Sequence, residues 1–311
     1  MDIFDIKGIK PMLISEMKKP FNNKNYIYEL KLDGIRCIVY LDKNSTDIRN
    51  KRDFKLLPRF SELNNIHKYV NEKCILDGEL IVAGKDGKPD FFELQRRTML
   101  SNNFKIELAI NSQPASFIAY DIIYLKDNLI NELELIERKI KLQSVINSED
   151  SRFAVSRFIE EKGIELFELS TQQNLEGIIA KKKESKYWFD KRTKDWIKFK
   201  NMADDDFIIC GYLPKKNNIV SFVLGKYEEN ELVFTGHVTL GVSLRILQKY
   251  EYKIIEKCPF NNKPLNHDDA IWIIPDIVCT VEYMPNDKDK LRQPVFKCIR
   301  EDKLPNECKV H

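Results

Sequence analysis

Hydrophobic positions over the first 200 residues form short apolar runs separated by longer amphipathic stretches. The short runs are rich in β-branched and aromatic residues and predict strands at "NYIYELKL", "RCIVYLD", "CILDGELIVA", "SFIAYDIIYL", "EGIIAKK" and "DWIKFKN". Apolar residues at spacings of three and four predict helices within 91–100, 132–147 and 160–171. This mixed order of strands and helices predicts an α+β fold with a largely antiparallel core.

The pattern changes after the acidic stretch "NMADDD", near residue 203. The runs "FIICGYL", "IVSFVLGKYEE", "ELVFTGHVTL" and "DIVCTVEYM" predict strands, and "EENE" is expected to be the turn of a hairpin. One helix is expected over 242–257. A few short strands and one helix in about 110 residues are typical of a small OB-type barrel. We therefore predict two domains, 1–202 and 203–311.

Composition narrows the class of protein. A chain of 311 residues with 43% hydrophobic residues can bury sizeable cores in two domains. No apolar run approaches about 18 residues and the start has no signal-peptide pattern, so we expect a cytoplasmic protein outside the membrane. Seven cysteines are spread singly without a CxxC pair, which argues against a structural zinc site or a disulfide framework. The net charge of +3 is small, so local charge clusters are more informative than the total.

The stretch "YELKLDGIR", residues 28–36, places a lysine two residues before an Asp-Gly turn. In a strand, Glu29 and Lys31 would share one face and the apolar neighbours the other. Taken alone, this pattern is better explained by an edge strand whose charged face meets water. Its interpretation depends on the motifs that follow, which are "IRNKRDF", "LDGEL", "FIAYDI", "EGIIAK", "WIKFK" and "LRQPVFKCIREDK".

In this order the motifs resemble those of the covalent nucleotidyltransferases, the superfamily of ATP-dependent DNA ligases, RNA ligases and capping guanylyltransferases. The stretches "KPML", "LQRR", "RQPVF" and "REDK" resemble the ATP-dependent DNA ligases of the bacterial end-joining type. The resemblance spans nearly the whole chain. It implies an adenylation (nucleotidyltransferase) domain of ATP-grasp-like antiparallel sheets with helices, 1–202, and an OB-fold domain, 203–311. The phosphoesterase and polymerase modules that often accompany such ligases are not expected in this chain.

The resemblance implies an ATP-dependent DNA ligase that works in three steps. Lys31 takes AMP from ATP, the AMP passes to the 5′-phosphate at a nick, and the 3′-hydroxyl then displaces it. Alternation along "WIKFK" lets Lys198 and Lys200 project into one pocket, where they would crowd Lys31 and hold phosphate charge. The expected cofactors are ATP and Mg²⁺ or Mn²⁺, with Glu79 and Glu176 as metal ligands or their outer-shell partners.

Further site residues follow position by position from the resemblance. Glu29 is expected to read the adenine amino group, and Tyr120 to stack on the adenine ring. The residues expected to contact the ribose and phosphates of ATP are Arg36, Arg49, Glu79, Arg192, Lys198 and Lys200. The residues expected to orient the departing pyrophosphate, when the small domain closes about a hinge at "NMADDD", are Arg292, Arg300 and Lys303.

The expected partner is nicked or broken double-stranded DNA. Segment 181–200 holds nine basic and three acidic residues with aromatic residues between them, which suits a nucleic-acid backbone. The basic residues of 242–257 recur every four positions and suggest a second phosphate-binding surface on the predicted helix. A monomer is expected, and an end-binding repair protein is considered as a partner.

Two alternatives stay open at this point. An RNA ligase or a capping guanylyltransferase would share the lysine motif and most strand motifs. A non-catalytic nucleic-acid-binding scaffold would keep the fold without the chemistry.

Overall fold

The structure is a computed structural model that describes residues 2–215, 219–285 and 291–310. It divides into two compact units, Met1–Lys200 and Asn201–His311. Over the described residues, every helix is too short or too polar to span a lipid bilayer.

The first unit mixes strands and helices, as the hydrophobic pattern predicts. Its strands are β1 Leu13–Glu16, β2 Tyr26–Leu30, β3 Ile35–Leu41, β4 Thr46–Asn50, β5 Cys74–Val82, β6 Ala115–Leu125, β7 Asn128–Leu129, β8 Phe153–Val155, β9 Phe158–Glu160, β10 Gly177–Lys182 and β11 Arg192–Lys200. Its α-helices are α1 Ile3–Ile6, α2 Phe91–Thr98, α3 Asn103–Ser112, α4 Leu135–Val145 and α5 Gly163–Gln172, and short 3-10 helices cover Ser61–Leu63 and Ile66–Tyr69. The three predicted helices are confirmed as α2, α4 and α5, whereas α1 and α3 were not predicted.

The first unit is built on two sheets. The first sheet has the strand order β1-β11-β10-β2-β9, and the second has the order β4-β3-β5-β6-β7 with β8 beside β6. Most neighbouring strands are antiparallel, whereas β1 and β11, and β6 and β8, run parallel. Ile27 and Trp196 from the first sheet share a buried cluster with Ile38 and Tyr120 from the second. The inner faces of the two sheets therefore pack together, and predicted site residues of the first unit such as Glu29 and Tyr120 lie on them.

Helix α4 is attached to the second sheet by a buried ion pair. Arg138 donates two hydrogen bonds of 2.8 Å to the carboxylate of Asp121 on β6, and neither side chain is exposed to solvent. The guanidinium also donates to the carbonyl oxygens of Leu133 and Ser185. The next residue on the helix, Lys139, pairs with Glu29 on β2. The position of α4 therefore affects a predicted site residue directly.

The second unit is rich in strands. They are β12 Ala203–Pro214, β13 Val220–Glu228, β14 Glu231–Val238, β15 Ile254–Ile255, β16 Ile271–Met284 and β17 Arg292–Ile299, with α6 at Leu244–Gln248 and a 3-10 helix at Pro305–Glu307. The strand order is β14-β13-β12-β16-β15, and β17 pairs with β16. The predicted hairpin is confirmed, because Glu228 of β13 pairs with Glu231 of β14. This arrangement agrees with the predicted OB-fold.

The helix predicted over 242–257 is wrong in length, because α6 ends at Gln248. Glu251 has a φ of +47°, a left-handed backbone conformation that cannot continue a right-handed helix. The chain then becomes extended, and Ile254 and Ile255 pair with β16. The basic residues at four-residue spacing therefore do not line one helical face, and the second phosphate-binding surface predicted on it is wrong.

Candidate active site

Lys31 lies directly after β2, where the chain passes close to β5. A Cβ atom at Gly34 would collide with the carbonyl oxygen of Leu80 and lie 2.8 Å from Cγ of Glu79. Glycine is therefore required for this close approach, which is the physical reason for the Asp-Gly sequence after the lysine. The backbone N–H of Lys31 donates to the carbonyl of Gly177 at 2.9 Å, so the lysine is also fixed against β10.

Glu176 is the nearest carboxylate partner of the Lys31 amine. Its Oε1 lies 2.6 Å from Nζ of Lys31, and its side chain is buried. The next residue, Gly177, has a φ of +131°, and a Cβ there would collide with the carbonyl oxygen of Phe199 on β11. The Glu-Gly pair of "EGIIAK" is therefore explained locally, because only glycine lets β10 start this close to β11 while Glu176 reaches Lys31.

Lys198 and Lys200 lie on one face of β11, as the alternation predicts. Both ammonium groups approach the same carboxylate oxygen of Glu16, at 2.9 Å from Lys198 and 3.8 Å from Lys200. Burial and the ammonium of Lys198 lower the pKa of Lys200, and Lys31 acts in the same direction. Glu16 was missed, since the parallel pairing of β1 with β11 contains a register shift that no local sequence pattern reveals.

Glu79 lies on the inner face of the second sheet, directly opposite Arg36 on β3. The pKa of Glu79 is raised to about 8, mainly by burial; Lys31 and Arg36 oppose this rise, whereas Glu176 and Asp77 add to it. A carboxyl group in this environment is protonated near neutral pH unless a cation joins it. Glu79 is therefore suited to act as a ligand of a cation.

The guanidinium of Arg36 is bound by other protein groups. It donates to the two carboxylate oxygens of Asp77 at 3.0 and 2.6 Å, and to the carbonyl of Met12 at 2.6 Å. Its carbon also lies 5.8 Å from the ring centroids of Tyr120 and Trp196. Arg36 therefore lies beside the predicted adenine-stacking residue, and its contact with ATP stays a prediction.

Glu29 is more enclosed than the strand pattern implied. It is 2% exposed, and its carboxylate lies 2.5 Å from Nζ of Lys139 and 3.0 Å from Nζ of Lys181. Ser156 also donates a hydrogen bond to it at 3.1 Å. Burial opposes ionisation, but the two lysines outweigh it and keep the pKa of Glu29 below its ordinary value. On the opposite face of the strand, the apolar neighbour Leu30 is 37% exposed rather than buried.

Lys181 is a site residue that the sequence interpretation missed. Its Nζ lies 4.3 Å from the ring centroid of Tyr120 and 4.2 Å from that of Trp196, a cation–π arrangement with both rings. Burial lowers the pKa of Lys181 to about 8, although Glu29 opposes this shift. A signal for Lys181 was present, since strand alternation in "EGIIAK" puts it on the same face as Ile179.

Arg49 and Arg192 have protein partners of their own in this structure. Arg49 on β4 pairs with Asp47 at 3.0 Å and with Asp53 at 2.9 Å. Arg192 at the start of β11 is exposed and donates to the carbonyl oxygen of Ile14. Their contacts with ATP stay predictions.

Two of the three predicted pyrophosphate residues come together in the second unit. Arg300 and Lys303 both donate to one oxygen of Asp206, at 3.1 and 2.8 Å. Arg292 begins β17, whereas Arg300 follows its end, and a strand of eight residues spans roughly 25 Å. Burial lowers the pKa of Arg292 to about 10. Arg292 is therefore not part of the Asp206 cluster.

The basic segment 181–200 buries one of its aromatic residues. Tyr187 is fully buried and donates to Asp77 at 2.7 Å, while Trp188 and Phe189 are half-buried against the same core cluster. The expectation of contact with a DNA backbone is therefore wrong for Tyr187, whereas for Trp188 and Phe189 it stays a prediction.

Two protein-family models match the chain. The model described as "ATP dependent DNA ligase domain" matches residues 11–200, and the model described as "ATP dependent DNA ligase C terminal region" matches residues 215–303.

Curated relatives align with almost the full chain. The SPbeta prophage-derived DNA ligase-like protein LigB of Bacillus subtilis is 29% identical over 293 residues, which cover 94% of this chain and 99% of that protein. The multifunctional non-homologous end joining protein LigD of Pseudomonas aeruginosa is 28% identical over 316 residues, covering 96% of this chain and 36% of LigD. The chain thus spans about a third of the length of that LigD.

Among solved structures, a mycobacterial DNA ligase D complexed with ATP and MES is similar over 100% of both chains, with a TM-score of 0.58 and 22% identity. The ligase domain of LigD from M. tuberculosis is similar over the same extent, with a TM-score of 0.57 and 22% identity. These similarities support the two-part fold described above.

Proposed function

The chain belongs to the ATP-dependent DNA ligase family, and on that premise we propose that Lys31 is its adenylated nucleophile. In the first step the Lys31 amine attacks the α-phosphate of ATP, forming a P–N bond and releasing pyrophosphate. The AMP then passes to a 5′-phosphate at a nick, and the 3′-hydroxyl displaces it. The observation that carries this proposal is the 2.6 Å contact of Lys31 with Glu176, close to Glu79 and to the lysine pair of β11.

The attacking amine must be uncharged when it reacts. The ammonium groups of Lys198 and Lys200 would bind the phosphate charge that develops as pyrophosphate leaves. These two lysines are therefore assigned to phosphate binding, and Glu16 occupies their ammonium groups when phosphate is not bound.

Glu79 and Glu176 are proposed to hold the divalent cation, Mg²⁺ or Mn²⁺. Among the described residues there is no cluster of three or more His, Cys, Asp or Glu side chains that could hold a metal ion. Two carboxylates suit Mg²⁺, which is often bound by one or two carboxylates together with substrate phosphates. Held by Glu79 and Glu176, the cation would supply positive charge beside the phosphates of ATP.

The nucleotide base is assigned to the inner faces of the two sheets. Tyr120 is proposed to stack on adenine, and Glu29 to accept a hydrogen bond from the adenine amino group. The support for this pairing is that Tyr120 and Glu29 are neighbours, because the ammonium of Lys181 lies 4.3 Å from the ring centroid of Tyr120 and 3.0 Å from the carboxylate of Glu29. Arg36, Arg49 and Arg192 would contact the ribose and phosphates after exchanging their present partners.

The residues of the second unit complete the proposal. Arg300 and Lys303 are assigned to the departing pyrophosphate, and Arg292 is kept as a predicted member of this group. The boundary between residues 202 and 203 and a hinge at "NMADDD" also stay predictions.

The substrate is proposed to be nicked or broken double-stranded DNA. LigD carries non-homologous end joining in its name, but this chain covers only a part of LigD. An end-joining role and an end-binding repair protein as partner are therefore proposals for this chain. A cytoplasmic location and a monomeric state stay predictions.

A labelling experiment tests the proposed function against its alternatives. The protein is incubated with Mg²⁺ and either α-labelled ATP or α-labelled GTP, and is then offered nicked DNA or RNA ends. Label from ATP and sealing of nicked DNA are expected. Label from GTP would favour a capping guanylyltransferase, sealing of RNA alone would favour an RNA ligase, and DNA binding without any label would favour a non-catalytic scaffold.

Replacing Glu16 with glutamine is expected to lower the KM for ATP in adenylation. The carboxylate of Glu16 competes with phosphate for Lys198 and Lys200, and exposed ion pairs are worth about 0.2–1 kcal/mol, so we expect a decrease of about 1.4- to fivefold. Saturation curves of adenylation rate against ATP measure the effect. The matched control is Glu132→Gln, which breaks an exposed 2.8 Å pair with Lys186. An unchanged or higher KM in Glu16→Gln would contradict the prediction.

The Mg²⁺ requirement is expected to depend on pH through Glu79. Its pKa of about 8 is raised, so the carboxyl is mostly protonated below that pH, and a metal ion must compete with the proton. The Mg²⁺ concentration for half-maximal adenylation should rise about tenfold for each pH unit below 8. Half-saturation is measured rather than maximal rate, because the rate also depends on protonation of the attacking amine. In Glu79→Gln this dependence should disappear, and an equal pH dependence in both proteins would disprove the assignment.

A further inference from the structure

Asp206 in the second unit accepts hydrogen bonds from two separate parts of the chain. It lies on β12 and is 8% exposed. Thr280 of β16 donates to Oδ1 at 2.6 Å, while Arg300 and Lys303 donate to Oδ2 at 3.1 and 2.8 Å. Burial opposes ionisation of Asp206, but the hydrogen bonds from Lys303 and Thr280 outweigh it and keep its pKa below the ordinary value. Asp206 is therefore a buried, ionised carboxylate that binds two cationic side chains.

Arg300 and Lys303, the two cationic side chains bound to Asp206, differ in their other contacts. Arg300 also donates from Nε and Nη2 to the two carboxylate oxygens of Asp302, both at 2.8 Å. Its guanidinium therefore contacts two carboxylates, those of Asp206 and Asp302. Lys303 has three ammonium donors, one of which points to Asp206, and its side chain is 26% exposed. Lys303 is therefore the member of the pair that is better placed to bind an additional anion.

Resting on the proposed function, we infer that Asp206 is a positioning residue for the departure of pyrophosphate. The Asp206 carboxylate binds the Arg300 guanidinium and the Lys303 ammonium together. It thereby orients the Lys303 ammonium to contact phosphate oxygens. Arginine and lysine side chains are long and flexible, so a carboxylate that orders both beforehand removes the cost of ordering them during the reaction. No property of the sequence around "NMADDD" distinguishes Asp206 from its two acidic neighbours, and the assignment depends on the contacts described here.

The experiment separates the first step of ligation from the last. Adenylation of the protein is followed in single-turnover reactions with α-labelled ATP, and the last step is followed by sealing a nick whose 5′ end already carries AMP, which releases no pyrophosphate. Asp206→Asn is expected to slow adenylation on the order of 10- to 100-fold while sealing of the adenylated nick stays within about twofold. Asp206→Glu keeps the charge, so its adenylation rate is expected to lie between those of wild type and Asp206→Asn. It also tests the role if the asparagine variant does not fold.

Two further variants test the specific role. The double variant Asp206→Asn, Lys303→Ala should lose less than the sum of the two single losses, because both changes remove the contribution of Lys303 and only that of Arg300 is lost in addition. The control Glu282→Gln breaks an exposed 2.9 Å pair with Lys297 in the same unit and should leave both steps unchanged.

Three results would overturn the assignment of Asp206 while leaving the proposed function intact. They are wild-type adenylation in Asp206→Asn, an equal loss of both steps in that variant, and additive losses in the double variant. A wild-type protein that takes up no label would instead overturn the proposed function, and the inference with it.

Discussion

Replacing Lys31 with alanine is expected to abolish the covalent transfer of AMP from ATP to the protein. The amine of Lys31 is the proposed point of attachment, and an alanine side chain has no nitrogen that could form the P–N bond. Lys31→Arg should fail as well, because a guanidinium stays protonated and is not a nucleophile. The measurement is incubation with α-labelled ATP and Mg²⁺, followed by denaturing electrophoresis and counting of the protein band.

Two controls make the Lys31 result specific. Lys186→Ala removes an exposed lysine that pairs with Glu132, and it should label like the wild type. Lys31→Ala should also seal a measurable fraction of nicks that already carry AMP, because AMP is then already attached to the DNA. Retained covalent label in Lys31→Ala would place the nucleophile elsewhere, and loss of label in Lys186→Ala would indicate a non-specific effect.

Replacing Arg138 with methionine is expected to lower the free energy of unfolding of the first unit by about 3–5 kcal/mol. The change leaves Asp121 as a fully buried carboxylate without its guanidinium partner. It also removes the donors that bind the carbonyl oxygens of Leu133 and Ser185. Urea unfolding measures the loss.

The matched control for Arg138 is Arg157→Met. Arg157 pairs with Glu149 at 2.8 Å, but its side chain is 72% exposed, so its loss should cost at most about 1 kcal/mol. The double variant Arg138→Met, Asp121→Leu removes both buried charges and should recover part of the stability. If Arg138→Met were no less stable than Arg157→Met, the buried pair would not contribute as argued. Because Lys139 follows Arg138 on α4, the variant should also disturb the contact of Lys139 with Glu29.

Much of the fold could be predicted because its signals are local. The alternation of polar and apolar residues in "WIKFK" correctly put Lys198 and Lys200 on one face, since successive strand residues point to opposite sides. Helices α2, α4 and α5 were predicted because their apolar residues recur with helical spacing. The length of the helix predicted over 242–257 was overestimated, because a contact with a distant part of the chain overrode the local pattern. Its basic spacing looked helical, but pairing of Ile254 and Ile255 with a distant strand determined the conformation.

The sequence by itself determined the order of the motifs, the faces on which their side chains lie, and the glycines that allow Lys31 and Glu176 to meet. These properties depend on neighbours a few residues apart, where backbone geometry leaves few options.

Only the tertiary structure decided which charged groups became partners. It placed Glu16 against Lys198, buried Glu29 between Lys139 and Lys181, and brought Arg300 to Asp206. Such pairings depend on strand register and on packing between segments that lie far apart in the chain. A one-residue change of register would turn the strand residues among them, such as Glu16 and Glu29, to the opposite face of their sheet.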